Sequence, residues 1–503
     1  MVSRFLIGQI PSWNVGLTLN EFYMNTRILS ILLLIIILTS CAVTSYGQSG
    51  KKIAIKDVVG VTLSSDNYEV VGDIDLKGKT LVIPKGSKVY FKGGKITNGT
   101  VVLDGTQLEG DVKIDGEVQG TITNGEIKAS WFGLKAGSKA DQTKALQSIV
   151  NLYESNVSHN SWDINLKNPE PTIVIPAGKY NVGEVKLRSY VTIKGSGRGS
   201  TELHGVKFIA DRQFNITVED LSIVGTSGGS KKSNYTLDNN KHLSAFKLKG
   251  CARLIFKNVS IKNYDVAFDM YNTYLVDLYS CFVSYCNVCY LNDGDGDGNG
   301  GHAVRWFGGE LYASKYGFVQ KSGNSVLLDG ATIENCKCGI NFIAPVSFTV
   351  DACYFEGNSY DIVGKILHVS VENCYFSESG KGKGDAYIYA SSAIGYANFQ
   401  GNKFGQPISN NPHIMVADNA NVYSNIMIGQ NFIVNGGRIP VSNRLLPFIK
   451  ENGINTFQTY LPNGKHMIMG QTVIYKNPRS GKYYIITRDT EGNLLFSPLS
   501  QNP

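Results

Sequence analysis

The chain has 503 residues, of which 42% are hydrophobic and 11% aromatic, so it has the apolar content that a large buried core requires. Its formal net charge of +7 favours anionic partners without identifying them. Because the sequence has no dense Lys/Arg cluster interleaved with aromatic residues, a nucleic-acid partner is not expected.

Residues 1–49 predict an export leader. After Met24, a candidate true start, a basic residue precedes an apolar run over 28–38 that is too short for a comfortable membrane span. The segment LTSC that ends at Cys41 resembles the lipobox of bacterial lipoproteins. This resemblance implies lipidation of Cys41, whereas ordinary cleavage near Gly47 is the alternative. We expect an exported, lipid-anchored protein in the periplasm or at the outer membrane, with no other membrane contact.

Eight cysteines remain when Cys41 is set aside. An exported chain meets an oxidising compartment, where disulfides are permitted. Most of the eight lie in strand-like runs, which favours buried packing. Cys286 and Cys289 form a CxxC pair, but no second pair stands at zinc-site spacing, so zinc is not expected.

Helical spacing of apolar residues is confined to 141–153. Asp141 is the candidate N-cap, and one apolar face is formed by Ala145, Leu146, Ile149, Val150 and Tyr153. The rest of the sequence consists of short β-rich runs separated by Gly, Asn and Asp. An all-β fold is therefore predicted.

The β-rich runs between 214 and 379 repeat one pattern, in which alternating apolar residues are followed by a polar break and a second apolar pair. The spacing is 22 residues from Asp329 to Asp351 and 21 residues from Cys353 to Cys374. Strands that recur at such a period predict a parallel β-helix, with one coil per repeat. Neighbouring strands would lie about 4.8 Å apart, and like residues would stack in ladders.

Composition divides the remaining chain into three parts. Residues 50–129 predict a smaller β-solenoid module, because their short strands are separated by Gly and Asn and carry few large core residues. Residues 130–438 predict the main β-helix. Residues 439–503 predict a C-terminal β cap with a hairpin within 471–489, since the ends of a solenoid need covering.

The run SWFGLKAGSKADQTKALQSIV (130–150), followed by TIVIPAGKYNVGEVKL (172–187), resembles the start of the pectate-lyase-like superfamily. That superfamily includes phage tailspikes and polygalacturonase-like enzymes. The resemblance implies a capping helix and a right-handed parallel β-helix over about residues 130–435. It also implies action on polysaccharides, often polyuronates. The matched positions are structural, so the reaction has to be argued from a site.

The stretch NDGDGDGNGGHAVRWFGGE (292–310) carries candidate site residues. The spacing of its aspartates is that of a calcium loop, which makes calcium the candidate cofactor and its ligands Asp293, Asp295 and Asp297. A solvated insertion between coils is the alternative. His302 and Arg305 follow directly, and loops on a rigid scaffold often carry function, so both are candidate catalytic residues.

The run GGE at 308–310, followed by KS at 321–322, is similar to an order found in the chondroitinase B and alginate lyase family. This similarity implies that Glu310 binds calcium and that Lys321 is the base that removes the C5 proton of a uronate. A cation must also neutralise the carboxylate, which gains negative charge in the transition state. The alternative for Lys321 is a surface lysine.

A hydrolase would use two carboxyl groups instead. Glu334 and Glu356 are 22 residues apart, so they would stack on adjacent coils at about 5 Å, where proximity raises the pKa of one of them. A polar ladder at a turn is the alternative. The polygalacturonase pattern of NTD, DD, GHG and RIK is not present.

A third class of function is a non-catalytic glycan-binding surface protein. Aromatic side chains could stack on sugar rings in a binder or in an enzyme, and the candidates are Trp306, Tyr312, Tyr316 and Tyr354. Of the three classes, the sequence favours an exported lyase that cleaves an acidic polysaccharide, such as a glycosaminoglycan or a pectin-like chain, by β-elimination. A glycoside hydrolase and a glycan-binding protein are the alternatives.

Overall fold

The structure is a computed structural model, and it describes residues 53–54, 67–152, 172–226, 236–237, 242–295, 300–379, 386–405, 412–423, 425–434, 441–450, 458–460, 466–468, 473–476, 482–488 and 494–498. The predicted leader with Cys41 lies outside these residues, as do Tyr153 and Asp297. Within the described residues, no helix has the length and apolar character needed to cross a membrane.

Three long parallel sheets build the main body, and each coil adds one strand to each sheet in turn. Sheet 1 has thirteen strands: Glu126–Lys128, Thr172–Ile175, Thr192–Gly195, Phe214–Glu219, Ala252–Lys257, Tyr274–Tyr279, His302–Phe307, Asn324–Asp329, Val346–Asp351, Val369–Glu372, Asn398–Gln400, Ile426–Ile428 and Ile449–Lys450. Sheet 2 has eleven: Gly178–Asn181, Thr201–His204, Ser222–Val224, Ser260–Lys262, Phe282–Ser284, Glu310–Tyr312, Thr332–Glu334, Tyr354–Glu356, Tyr375–Ser377, Lys403–Phe404 and Phe432–Ile433.

Sheet 3 also has eleven strands: Glu184–Lys186, Lys207–Asp211, Ser244–Lys249, Val266–Tyr271, Val288–Asp293, Tyr316–Gln320, Cys338–Phe342, Tyr360–Leu367, Ile388–Gly395, Ile414–Val416 and Asn421–Val422. The predicted right-handed parallel β-helix is confirmed by these sheets. The ladder prediction is confirmed as well, because Asp329 pairs with Asp351 and Glu334 pairs with Glu356 on adjacent coils.

The corner between sheet 1 and sheet 2 explains the recurrent Asn and Gly of the sequence. In successive coils this corner holds a positive-φ residue, which is Asn or Gly at Asn258 (51°), Gly330 (63°) and Asn373 (54°), whereas Ser280 and Ala352 take the position in two other coils. Asn and Gly adopt this left-handed conformation more readily than most residues. The corner residue turns the chain sharply, so the next short strand faces a different direction.

The interior is a stack of aromatic rings from successive coils. The ring centroids of Phe208 and Phe246 lie 5.3 Å apart, those of Phe246 and Phe268 lie 5.4 Å apart, and those of Tyr290 and Phe318 lie 4.7 Å apart. All five side chains are buried. Stacking of this kind adds to the apolar burial that stabilises each coil against its neighbours.

The predicted helix is confirmed over Thr143–Asn151, two residues shorter at each end than the apolar pattern suggested. The N-cap residue is Gln142 and not the predicted Asp141, although Asp141 Oδ1 accepts the backbone N–H of Thr143, the first helical residue, at 2.9 Å. Hydrogen bonds from Thr143 hold the pKa of Asp141 below its usual value. Leu146, Ile149 and Val150 form the buried face, as predicted.

The N-terminal part consists of short parallel strands: Asn67–Val70, Ile74–Asp75, Thr80–Val82, Lys88–Phe91, Ile96–Gly110 and Ile114–Ile122. Strand Ile53–Ala54 precedes them. The predicted boundary at 129/130 falls inside a continuous ladder, because Ile127 pairs with Ile173 of the first full coil. The short 3-10 helix Ala129–Phe132 follows at this junction.

After the 3-10 helix Asn443–Phe448, the chain changes to antiparallel pairing. Strand Gln458–Tyr460 pairs with His466–Ile468, and Val473–Lys476, Tyr483–Arg488 and Leu494–Pro498 form a three-stranded sheet. The hairpin predicted within 471–489 is therefore confirmed. The function of this segment as a cap stays a prediction.

The eight cysteines from Cys251 to Cys374 are all buried and form no disulfide. Burial raises the pKa of the Cys281, Cys286 and Cys336 thiols to about 12. The interpretation of these cysteines as core packing residues is confirmed. The Cys281, Cys286 and Cys336 thiols are therefore protonated at neutral pH and are poor metal ligands or nucleophiles.

Asp361 is a carboxyl group in the interior. Its Oδ1 accepts hydrogen bonds from Asn358 Nδ2 at 2.8 Å and Ser379 Oγ at 2.7 Å, whereas its Oδ2 has no partner among the described residues. Burial raises the pKa of Asp361 to about 8. The folded protein therefore holds a proton at neutral pH that the unfolded chain releases above about pH 4.

We expect the free energy of unfolding to decrease as pH rises from about 4 to about 8, because ionisation then favours the unfolded chain. Burial lowers the pKa of His413 to about 4, which gives the opposite trend below about pH 6.5, so the Asp361 effect is clearest between about pH 6.5 and 8. Over that interval the free energy of unfolding of the parent protein should decrease by about 1 to 2 kcal/mol because of Asp361, and this decrease should be absent in Asp361→Asn. Urea unfolding at several pH values measures this, and parallel pH profiles for both proteins would contradict it.

Candidate functional site

The residues predicted to form one site lie on different sheets. His302 and Arg305 belong to sheet 1, Glu334 and Glu356 belong to sheet 2, and Lys321 follows the sheet 3 strand Tyr316–Gln320. The candidate residues of the lyase and those of the hydrolase therefore lie on different sheets, and His302 and Arg305 do not share a sheet with Lys321. Successive strands of one coil face different directions, so closeness in sequence separates these side chains instead of bringing them together.

On sheet 1, both predicted catalytic residues make contacts along the ladder. The Arg305 guanidinium binds Asp277 of the neighbouring coil through two contacts, Nε–Oδ1 at 2.6 Å and Nη2–Oδ2 at 2.9 Å. The His302 ring lies 5.4 Å from the Tyr274 ring, and its Nδ1 accepts the backbone N–H of Asn324 at 3.2 Å. These contacts account for both residues as parts of the coil stack.

The prediction that Trp306 stacks on substrate is wrong, because its side chain is 0% exposed. Its ring packs edge-on against Phe268 and Tyr290, at centroid distances of 6.0 and 6.2 Å. The indole Nε1 donates a hydrogen bond to the Gly308 carbonyl oxygen at 2.7 Å. In the alternation of strand His302–Phe307, Trp306 points inward and belongs to the core.

The three predicted tyrosines are half-buried and divide between two sheets. Tyr312 and Tyr354 lie on sheet 2, where the Tyr312 ring is 5.8 Å from the exposed Tyr285 ring. Tyr316 lies on sheet 3 and packs against an apolar cluster that contains Val288 and Val319. Only Tyr312 and Tyr354 therefore share a face with Glu334 and Glu356.

Asp293 and Asp295, the two described aspartates of the predicted calcium loop, are engaged with other side chains. The Asp293 carboxylate is paired with Lys321, and the Asp295 carboxylate accepts hydrogen bonds from Tyr271 OH and Asn272 Nδ2. Glu310 lies on sheet 2, so its prediction as a ligand beside these aspartates is corrected. No group of three His, Cys, Asp or Glu side chains suited to a metal occurs in the described part of the chain. The contribution of Asp297 falls outside it.

A cleft of about 260 Å³ lies on the outer face of sheet 3, and we name it the lysine cleft. Its lining residues combine charged and polar side chains with three leucines. They are Leu237, His242, Lys247, Leu248, Lys249, Asp269, Tyr271, Leu291, Asp293 and Lys321. The aspartate–glycine loop of the sequence thus begins at the edge of a cleft, because Asp293 is its first aspartate.

The parallel register explains why these side chains converge. Lys247 pairs with Asp269 on the next coil, and two residues further along, Lys249 pairs with Tyr271, which pairs with Asp293. Residues two apart on a strand face the same side, and residues one coil apart lie about 4.8 Å from each other. Two columns of polar side chains therefore stand side by side.

The deepest polar group of the cleft is a histidine–aspartate pair. His242 Nε2 lies 2.8 Å from Asp269 Oδ2, and the two side chains are only 7% and 10% exposed. Ser244 Oγ donates a second hydrogen bond to the same oxygen at 3.2 Å. A carboxylate that holds an imidazole in this way fixes the orientation of the ring and stabilises its protonated form.

Cations and a phenol surround this pair. Lys321 Nζ lies 3.1 Å from Asp293 Oδ2, with both side chains mostly buried. Lys249 Nζ lies 5.6 Å from the centroid of the Tyr271 ring. The Tyr271 hydroxyl donates to Asp295, and this hydrogen bond raises the pKa of Tyr271. The cleft therefore contains an oriented imidazole, a protonated phenol and lysine ammonium groups.

Sequence reasoning missed His242, Lys247, Lys249, Asp269 and Tyr271. The coil period could have found two of them, since Tyr271 precedes Asp293 by 22 residues and Lys249 precedes Tyr271 by 22 residues. No local motif indicates His242, which stands two residues before strand Ser244–Lys249. Only the fold brings it to Asp269, 27 residues later.

Sheet 2 carries a second candidate group, the paired glutamates. Glu334 and Glu356 are direct neighbours in register, and Tyr354 OH donates to Glu356 Oε2 at 2.8 Å. Partial burial, followed by the charges of Glu356 and Glu310, raises the pKa of Glu334. The predicted stacking is confirmed, and the environments of the two carboxyl groups differ as those of an acid and a nucleophile would.

Neither a family profile nor a curated protein matches the sequence. Among solved structures, the chain is similar to a DFA-IIIase from Arthrobacter chlorophenolicus, with 15% identity, a TM-score of 0.47, and coverage of 62% of this chain and 88% of that one. It is similar to the A-module of the Azotobacter vinelandii mannuronan C-5 epimerase AlgE4, with 12% identity, a TM-score of 0.42, and coverage of 61% and 95%. A tailspike of an Acinetobacter phage matches with 9% identity, a TM-score of 0.42, and coverage of 75% and 82%. The β-helix assignment itself rests on the three parallel sheets of this chain.

Proposed function

We propose that this protein is a carbohydrate-active enzyme that cleaves a uronate-containing polysaccharide by β-elimination in the lysine cleft. The observation that carries this proposal is the His242–Asp269 pair, which lines the same cleft as three lysines. An oriented base next to cationic groups is what removal of a proton alpha to a carboxylate requires.

The residues of the cleft divide the reaction between them. The His242 imidazole removes the C5 proton of the uronate, and Asp269 stabilises the imidazolium that forms. Lys247, Lys249 and Lys321 neutralise the uronate carboxylate as negative charge develops on it. The C4–O bond then breaks, a C4=C5 double bond forms, and the Tyr271 phenol gives its proton to the departing oxygen.

Lys321 keeps a place in this mechanism with a changed role. The sequence resemblance implied that it is the base. Its Nζ lies 3.1 Å from Asp293 Oδ2, so the side chain is already held in an ion pair and lacks the oriented partner arrangement that His242 has with Asp269. We therefore assign Lys321 to the substrate carboxylate and assign the base to His242.

The test uses the purified protein with polygalacturonate, alginate, hyaluronan and chondroitin sulfate, each with calcium or with a chelator. We expect ultraviolet absorbance to increase as the conjugated double bond forms, because hydrolysis does not create this chromophore. Loss of activity in chelator would support the predicted calcium dependence through Asp293, Asp295 and Asp297. New reducing ends without an increase in absorbance would contradict β-elimination. No signal in either assay would favour a non-catalytic glycan-binding protein.

Hydrolysis at the sheet 2 glutamates is the second candidate function, and the raised pKa of Glu334 beside Glu356 favours it. If this site is catalytic, Glu334→Gln should lower the rate of reducing-end formation by about 10²–10⁴-fold, because the general acid is lost. Equal rates of reducing-end formation in Glu334→Gln and the parent protein would exclude hydrolysis at this site. Glu184→Gln, on sheet 3, is the control substitution, since that exposed carboxylate lies on a different face.

Export and lipid anchoring at Cys41 are also part of the proposal. The apolar run and the lipobox-like segment before Cys41 support it. We expect the protein expressed in a Gram-negative host to fractionate with membranes and Cys41→Ser to release it. Equal membrane association of both proteins would contradict lipidation at this residue.

A further inference from the structure

A second and larger cleft, which we name the amide cleft, lies where sheet 1 meets sheet 2 in the last coils. Its volume is about 470 Å³, within the range of about 300–1,000 Å³ typical of small-molecule sites. The side chains that define it are Asn373, Asn398, Gln400, Met427, Gln430 and Phe432. None of the lining residues found in the described chain carries a charge, in contrast to the lysine cleft.

Paired strands of the last coils form the floor of this cleft, and two glycines lie beside its amide side chains. Asn398 pairs with Met427 on the next strand of sheet 1. A Cβ atom at Gly401 would lie 2.5 Å from Asn373 Oδ1, and one at Gly429 would lie 3.1 Å from Gln400 Cγ. The glycines therefore leave room for the amide side chains beside them.

One amide in this cleft has unused hydrogen-bonding capacity. Asn398 Nδ2 donates to Glu372 Oε1 at 2.8 Å and to Ser370 Oγ at 3.2 Å, which fixes the orientation of the amide. Asn398 Oδ1 is buried and has no partner among the described residues. A buried acceptor without a donor costs about 1–3 kcal/mol, which a hydroxyl group of a ligand would offset.

The rim of the cleft adds an apolar surface. The Phe432 side chain is 54% exposed at the start of the last sheet 2 strand, and Met427 lies on the adjoining sheet 1 strand. An aromatic ring beside several amide groups suits a ligand that has one apolar face and many hydroxyl groups. A sugar ring without a carboxylate or sulfate group has this chemistry.

We propose that the amide cleft binds an uncharged sugar unit, with its hydroxyl groups on Asn398, Gln400 and Gln430 and one face of its ring on Phe432. Amides donate and accept hydrogen bonds without requiring a charge on the ligand. In this proposal the lysine cleft and the amide cleft differ in selectivity, since one takes anionic and the other neutral sugar units. This inference rests on the amide cleft alone and does not depend on catalysis in the lysine cleft.

Isothermal titration of the full chain with cellohexaose, xylohexaose, maltohexaose and laminarihexaose tests the inference, with hexagalacturonate as the charged comparison. We expect at least one neutral hexasaccharide to bind. Loss of ring packing in Phe432→Ala should weaken this binding by about threefold to tenfold. Gln400→Ala should weaken it as well. Both side chains are exposed, so neither change should unfold the protein.

Two control variants separate this site from other surfaces. Tyr396→Ala removes another exposed aromatic ring, which stacks on His368 outside the cleft, and should leave neutral-sugar binding unchanged. Lys321→Met disrupts the lysine cleft and should also leave it unchanged. The inference is overturned if no neutral hexasaccharide binds, or if Phe432→Ala and Gln400→Ala bind as tightly as the parent protein.

Discussion

His242→Ala is expected to lower kcat for β-elimination by about 10²–10⁴-fold, because the reaction then lacks its base. Asp269→Asn should cause a loss in the same direction, since an amide still bonds to the ring but cannot stabilise the imidazolium. The initial rate of ultraviolet absorbance measures both effects. Thermal unfolding of each variant shows whether the coil stack is intact.

A lysine variant separates binding from proton removal. Lys321→Met should raise KM and lower kcat, because Lys321 is assigned to the substrate carboxylate in the ground state and binds it more strongly in the transition state, where that group carries more negative charge. Lys257→Met is the matched control, as Lys257 is an exposed lysine on sheet 1. If His242→Ala formed the unsaturated product at the rate of the parent protein, the lysine cleft would not be the site of elimination.

Trp306→Ala is expected to destabilise the protein by about 3–5 kcal/mol, the usual effect of removing a large buried aromatic side chain. The indole is fully buried against Phe268 and Tyr290, and its Nε1 bond to Gly308 would also be lost. Urea unfolding followed by circular dichroism measures the change. Trp306→Phe should cause a smaller loss, because it keeps most of the apolar contact.

The same experiment distinguishes a core residue from a sugar-binding residue. Tyr279→Ala is the control, since Tyr279 is 38% exposed and stacks on Phe307 at the surface, so its removal should cost much less. A Trp306→Ala protein with unchanged stability and weaker polysaccharide binding would support the substrate-stacking role predicted from sequence and contradict the packing described here.

The fold could be predicted because its signals repeat. The alternation of apolar residues, the spacing from Asp329 to Asp351, and the Asn and Gly residues at the corners all recur in several coils, so each supports the others. The stacking of Glu334 on Glu356 followed from the period alone. The inward direction of Trp306 could have been predicted too, since Val304 and Trp306 alternate with exposed Arg305.

The candidate site could not be predicted in this way. Asp293 and His302 are close in sequence, but they belong to different sheets. In contrast, Lys247, Asp269 and Lys321 lie far apart in sequence and line one cleft. A sequence motif consists of residues that are close together along the chain. In a β-helix, functional groups are assembled across coils, so the search has to follow the register.

By itself the sequence determined the coil period, the parallel β-helix, the helix at its start and the burial of the cysteines, because these depend on local patterns of apolar and turn-forming residues. Only the tertiary structure decided which side chains share a face. A positive-φ residue at a corner changes the direction that the next strand faces, and His242, just before strand Ser244–Lys249, contacts Asp269 on the paired strand of the next coil. For this reason His242 and Asp269, and not His302 and Arg305, form the pair on which the proposed chemistry depends.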